Sequence, residues 1–156
     1  MSLVPSWAPN VHPLVIHFPI GLLVAAVAID VVDALFKRPA WLGAAATSLY
    51  VVGAATTILA YFTGVQAGST VFVPGMAHPL VDDHGRWAVV TVWFFAAVAV
   101  LRVAVWKVGF PRRRLHRVLL LIAGLTGILL LQQTAERGAR LVFEHGVGVI
   151  AAPQSP

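Results

Sequence analysis

An all-α membrane protein, a four-transmembrane-helix bundle built as two tandem hairpins, is the fold class this sequence predicts. Three observations predict it. Hydrophobic residues fill 59% of the 156 positions and charged residues only 11%, with a mean hydropathy of +0.86. So little charge cannot cover a water-soluble globule of this size. The apolar residues fall into four runs, most of them long enough for a hydrocarbon core of about 30 Å. The basic residues sit between those runs in short clusters, so the formal net charge of +5 reads as loop charge and not as a groove for nucleic acid. The chain has no cysteine, which excludes disulfides, thiolate zinc sites, iron–sulfur ligation and covalent c-type haem attachment.

The four spans belong to one domain, residues 1–156. Met1 to Val11 carries no charged side chain and lacks the basic start of a secretory signal, so it reads as a short uncharged outer tail with Trp7 at the headgroups. The first span covers residues 13–36. Pro19 lies about a turn inside it, either at the first helical position or loosening the first turn and freeing the Val15 carbonyl. His17, Gly21, Ala25 and Ala28 share a face whose small residues would let another helix or a flat ring approach. Asp30 and Asp33 are expected to pair with Lys37 and Arg38 or to stay wet.

The second span covers 41–65, with a small and hydroxylic seam of Gly43, Thr47, Tyr50, Gly53 and Thr57 suited to close packing and interhelical hydrogen bonds. Gln66 to Gly85 reads as a Gly/Pro-rich loop. The third span covers 86–106, with Arg102 near enough to its end to snorkel. The fourth covers 115–135. Its apolar run, Val118 to Leu131, reaches only about 21 Å at 1.5 Å per residue. Either that helix starts earlier, or Gln132, Gln133 and Thr134 lie at bilayer depth and face the bundle interior. The segment 136–156 continues as an amphipathic helix and then turns through His145-Gly146-Val147-Gly148.

Lys37 and Arg38, then Lys107, Arg112 to Arg114 and Arg117, mark one side as cytoplasmic. Only Arg86, Arg137 and Arg140 are basic on the other side. Both termini are therefore expected on the periplasmic side of a bacterial inner membrane.

That topology gathers His12, His17, His78, His84 and His145 at the outer face. His12-Pro13-Leu14-Val15 opens the first span, and the same tetrapeptide, His78-Pro79-Leu80-Val81, precedes the third. The repeat implies a pseudo-two-fold along the membrane normal. Under it, His17 and His84 face each other as the axial pair of a b-type haem. His12, His78 and His145 would then hold a second group or hydrogen-bond the first. Arg86, Arg137 and Arg140 would meet the haem propionates. Asp82 or Asp83 could orient His84 through its other ring nitrogen, although a solvated loop acid is the plainer reading of both. Each histidine also has a plain reading, as a cap at a helix start or a partner for a loop carbonyl.

The run His12-Pro13-x-x-x-His17-Phe18-Pro19, with the late Val142-x-x-His145-Gly146-Val147-Gly148, resembles the bacterial membrane family known as domain of unknown function 2231 (DUF2231). The resemblance covers nearly the whole chain. It implies four membrane helices, histidines as the family's signature, and cytochrome-like or Rieske-like redox modules as neighbours or fusion partners. No such module is fused here, so a redox partner would be another chain.

Three functions follow as expectations. The first is a membrane-embedded b-type cytochrome-like electron-transfer subunit, carrying haem b near the periplasmic face and passing electrons between membrane quinone and a cytochrome c-like or Rieske-like partner. The second is a non-haem site for copper, iron or zinc, since imidazole suits all three. The third is a structural subunit of a larger respiratory or photosynthetic complex. A stand-alone enzyme is disfavoured, because no nucleophile elbow, phosphate loop or carboxylate pair is evident. A proton-coupled carrier is disfavoured for want of intramembrane ion pairs.

Overall fold

The computed structural model describes residues 10–36, 41–108 and 114–149. The expectations for the tail Met1 to Pro9, and for Lys37, Arg38, Arg112 and Arg113, fall outside those residues. Helix α1 (His12–Val15) runs into α2 (His17–Leu35), and α3 (Trp41–Thr70), α4 (His78–Val108) and α5 (Arg114–Phe143) follow. Taken together, α1 and α2 make one membrane-length segment, so four helices among the described residues are long and apolar enough to cross a membrane. Every long segment carries bulky apolar side chains on its outside, among them Val24, Phe62, Trp93 and Leu129. A surface of that kind is suited to lipid, not water.

The break between α1 and α2 falls at Ile16. Proline at position 19 has no N–H to return to the Val15 carbonyl, so the first turn closes on itself and the helix restarts. Further along, α3 and α4 extend well past the predicted spans. Of the expected loop from Gln66 to Gly85, only Val71 to Pro74 stays irregular, followed by the 3₁₀ turn Gly75–Ala77. Pro79 lies in the first turn of α4, where a missing N–H costs nothing. The fourth helix starts early, at Arg114, and also continues through the glutamines to Phe143.

Each helix packs on its neighbours in chain order, and α5 closes the ring against α2, leaving α2 and α4 on one diagonal. The core is Leu23, Ala26 and Val27 of α2, Tyr50 and Ala54 of α3, and Phe95, Val98 and Ala99 of α4. The α5 backbone comes close at two glycines. A Cβ on Gly127 would stand 2.6 Å from Phe95 Cζ, and one on Gly124 would collide with the Tyr50 hydroxyl. The seam on α3 is a packing seam, with Tyr50, Gly53 and Thr57 buried. Its threonine hydroxyls do not bridge helices, however. Thr47 donates to Gly43 O at 2.8 Å and Thr57 to Ala54 O at 2.7 Å, both within α3.

The bundle has an internal two-fold, in a register the tetrapeptide repeat does not show. The buried residues of α2 are Pro19, Leu23, Ala26, Val27 and Asp30; those of α4 are Thr91, Phe95, Val98, Ala99 and Arg102. These are five pairs at one constant spacing, 72 residues, the separation of Asp30 from Arg102. The same spacing matches His12 with His84. On the second helices the spacing is two residues longer and matches Gly53 with Gly127, Ala60 with Thr134, Gly64 with Gly138 and Ala67 with Leu141. The copied His-Pro-Leu-Val therefore marks where two helices begin, not equivalent depths. His78 stands more than a turn and a half before the true counterpart of His12.

Candidate functional site

The two-fold gathers the polar interior into two layers. In the first, His12 from α1 lies against α3 and His84 from α4 lies against α5. His12 Nδ1 is 3.1 Å from Thr63 Oγ1. That hydroxyl gives its own proton to the Ala60 carbonyl at 3.0 Å, so its oxygen can only accept from the imidazole. His84 Nδ1 is 2.9 Å from the carbonyl of Thr134, the counterpart of Ala60, and a carbonyl also only accepts. The hydrogen-bond network thus assigns both rings a proton on Nδ1 and a lone pair on Nε2. A metal-ligating histidine takes this form, with its far nitrogen held by a carbonyl or hydroxyl.

Glycine lets both rings lie close to the neighbouring backbone. A Cβ on Gly64 would stand 3.0 Å from His12 Cε1, and one on Gly138 would stand 3.1 Å from His84 Cε1. Both imidazoles are half-buried. Thr91, whose counterpart on α2 is Pro19, ties the layer together through Thr134 Oγ1 at 2.9 Å. The guanidinium of Arg137 comes from α5, one turn beyond the Thr134 carbonyl that holds His84. It lies 4.7 Å above the Trp87 ring, pairs with Asp83, and donates to Gln133 O at 2.8 Å and to Gln133 Oε1 at 2.9 Å.

The other histidines are elsewhere. The expected partner of His84, His17, is exposed, as are Gly21, Ala25 and Ala28 on the same face. The inward stripe of α2 runs through Pro19, Leu23, Ala26 and Asp30, which turns the His17 face outward. His78 is exposed, with Nδ1 3.2 Å from Gly75 O at the start of α4. His145 sits in the turn that ends α5, where Gly146 and Gly148 take positive φ. Arg140 is exposed and paired with Glu144 at 3.0 Å, while Arg86 stands 3.8 Å from Asp83. Neither Asp82 nor Asp83 orients His84; the Thr134 carbonyl does that instead. Of the glutamine segment, Gln132 is exposed, Gln133 serves Arg137, and Thr134 alone bonds inward.

The second layer, toward the opposite ends of the helices, was not expected. Arg102 does not snorkel. It is 3% exposed and bonds both Asp30 oxygens, 8% exposed, at 2.7 and 2.9 Å across the α2–α4 diagonal. Its guanidinium carbon lies 4.2 Å over the Tyr50 ring. Arg117 reaches the Asp33 backbone carbonyl at 2.8 Å. The bundle interior thus holds an intramembrane ion pair, which the sequence reading lacked. The one sequence signal was that Asp30 and Arg102 keep the same spacing as His12 and His84.

Four apolar helices, a two-fold repeat and polar layers near both ends define a multi-pass membrane protein with a candidate ligand pair in its interior. The chain belongs to the DUF2231 family, described as a predicted membrane protein, whose model matches residues 8–151. No curated protein and no solved structure matches the chain.

Proposed function

We propose that this protein is a b-type cytochrome-like electron-transfer subunit in which His12 and His84 would hold a haem iron. The observation that carries the reading is the matched tautomer: at two-fold-related positions, both Nδ1 atoms donate to the neighbouring helix, which leaves a lone pair on each Nε2 to bind a metal. The donor set favours haem over a bare copper, iron or zinc ion. Among the described residues no group of three or more ligating side chains gathers. A porphyrin supplies its own four equatorial nitrogens, so two imidazoles suffice; a bare ion needs further protein ligands.

Haem, when bound, would supply one-electron chemistry. The chain's own residues would hold the rings in the ligating tautomer through Thr63 and Thr134 and seat them against Gly64 and Gly138. Arg137, on α5 one turn beyond the Thr134 that holds His84, is the cation to meet a propionate. The distribution of basic residues supports an orientation with the histidine layer toward the periplasm of a bacterial inner membrane, within range of quinone and of a periplasmic redox partner on another chain.

The test is an absorption spectrum, oxidised and reduced, of protein purified in detergent after expression with haem supplied. A Soret band is expected in the wild type, lost in both His12→Ala and His84→Ala and kept in His17→Ala and His78→Ala. A wild-type protein that is folded by circular dichroism and shows no Soret band defeats the proposal. In that case one bound ion per chain by metal analysis would select a non-haem site. Absence of both would leave a structural subunit.

A further inference from the structure

The ion-pair layer differs from the histidine layer in one respect. At the histidine end the two-fold relates the rings and the glycines they lie against like to like: His12 to His84 and Gly64 to Gly138. At the other end it relates opposites. Asp30 corresponds to Arg102, and at the second-helix spacing Tyr50 corresponds to Gly124. These four residues meet. The Asp30 carboxylate holds the Arg102 guanidinium, the Tyr50 ring lies under that guanidinium, and the Tyr50 hydroxyl ends in the space that a Cβ on Gly124 would fill.

We propose that this layer is a matching device between the two hairpins. The hairpin of α2 and α3 presents an acid and a large ring; the hairpin of α4 and α5 presents a base and a glycine. Each accepts the other and refuses a second copy of itself. Two first hairpins would set carboxylate against carboxylate and tyrosine against tyrosine. Two second hairpins would set guanidinium against guanidinium above a void. Buried like charges at contact distance are strongly unfavourable in an apolar surround, and a second ring cannot enter a packed core. The partner each surface fits is therefore the other half of the chain. The residue pairs behind this inference owe nothing to the cofactor reading.

The experiment exchanges equivalents in the full-length chain, with unfolding in detergent and size-exclusion profile as readouts. One arm reverses charge: Asp30→Arg, Arg102→Asp, and both together. The other moves bulk: Gly124→Tyr, Tyr50→Gly, and both together. A final variant carries all four changes. Each single reversal, and Gly124→Tyr alone, should lower the folded-to-unfolded ratio at least about a hundredfold and broaden the size profile. Each exchange should recover stability over its own single variants, and the fourfold exchange should recover most, because it restores acid, base, ring and glycine with their places traded. The proposal is overturned if neither exchange gains on its own single variants, or if the single reversals are as stable as the wild type.

Discussion

Asp30 and Arg102 show how a charge is kept inside an apolar bundle. A lone guanidinium in hydrocarbon is costly, but this one meets a carboxylate through two hydrogen bonds and covers a tyrosine ring. Removing one partner would strand the other. Arg102→Met should therefore lower stability by about 3–5 kcal/mol, whereas Arg102→Met with Asp30→Leu should restore most of the loss, because paired apolar replacements leave no orphan charge. Chemical unfolding of the two variants in the same detergent checks both. Glycine acts at this scale too. Gly127→Ala would force its methyl against the fully buried Phe95 ring. An overpacking loss of about 1–3 kcal/mol is expected in the same assay.

At the scale of the element, the clearest case is the end of α5. Its last turn closes with Gly146 N–H on Val142 O at 3.0 Å and Val147 N–H on Leu141 O at 2.9 Å, with Gly146 at φ 64° and Gly148 at φ 74°. Only glycine takes such angles without strain. The His145-Gly146-Val147-Gly148 motif thus serves as a helix stop, and His145 is carried in it. Beside it, a hydrogen bond from Arg140 holds the Glu144 carboxyl below the usual carboxylate range. A depressed carboxylate adds stability above its unfolded pKa and loses it as pH falls through the folded value. Acidification below the ordinary carboxylate range should therefore fray this turn, seen as faster amide exchange at 141–147. Glu144→Gln should remove that pH dependence while leaving the turn slightly looser at neutral pH. The pair is exposed, so the effect stays local.

Across the whole molecule, the two-fold sets what each layer can be. His12 to Asp30 and His84 to Arg102 span equal lengths, about 27 Å of helix at 1.5 Å per residue. Between the layers, Leu23, Val27, Phe95 and Val98 fill the interior with apolar packing. A cofactor held by the histidines would thus be separated from the ion pair by an apolar core. If the histidine layer binds haem, variants of Asp30 or Arg102 that still fold should keep the Soret position of the wild type. A band that shifts with them would place the binding centre at the other layer.

The sequence by itself determined the class, the four long helices, their antiparallel succession and the presence of an internal repeat. Those depend on composition and on apolar runs, which act locally and through the solvent each segment prefers. It also drew attention to the histidines. What it did not determine was which of them face inward. His17 follows His12 by five residues, which on a regular helix turns it about 140° away around the axis, and that rotation decides between lipid and interior. Nor did it reveal the partner of Arg102, because an ion pair joining residues 72 apart exists only once two helices lie on the same diagonal. The tertiary structure decided both, by setting the register of α4 against α2 through the packing of Leu23, Ala26 and Val27 with Phe95, Val98 and Ala99. Side chains that fill one core must share one depth, and the polar residues on the same faces are carried into line with them.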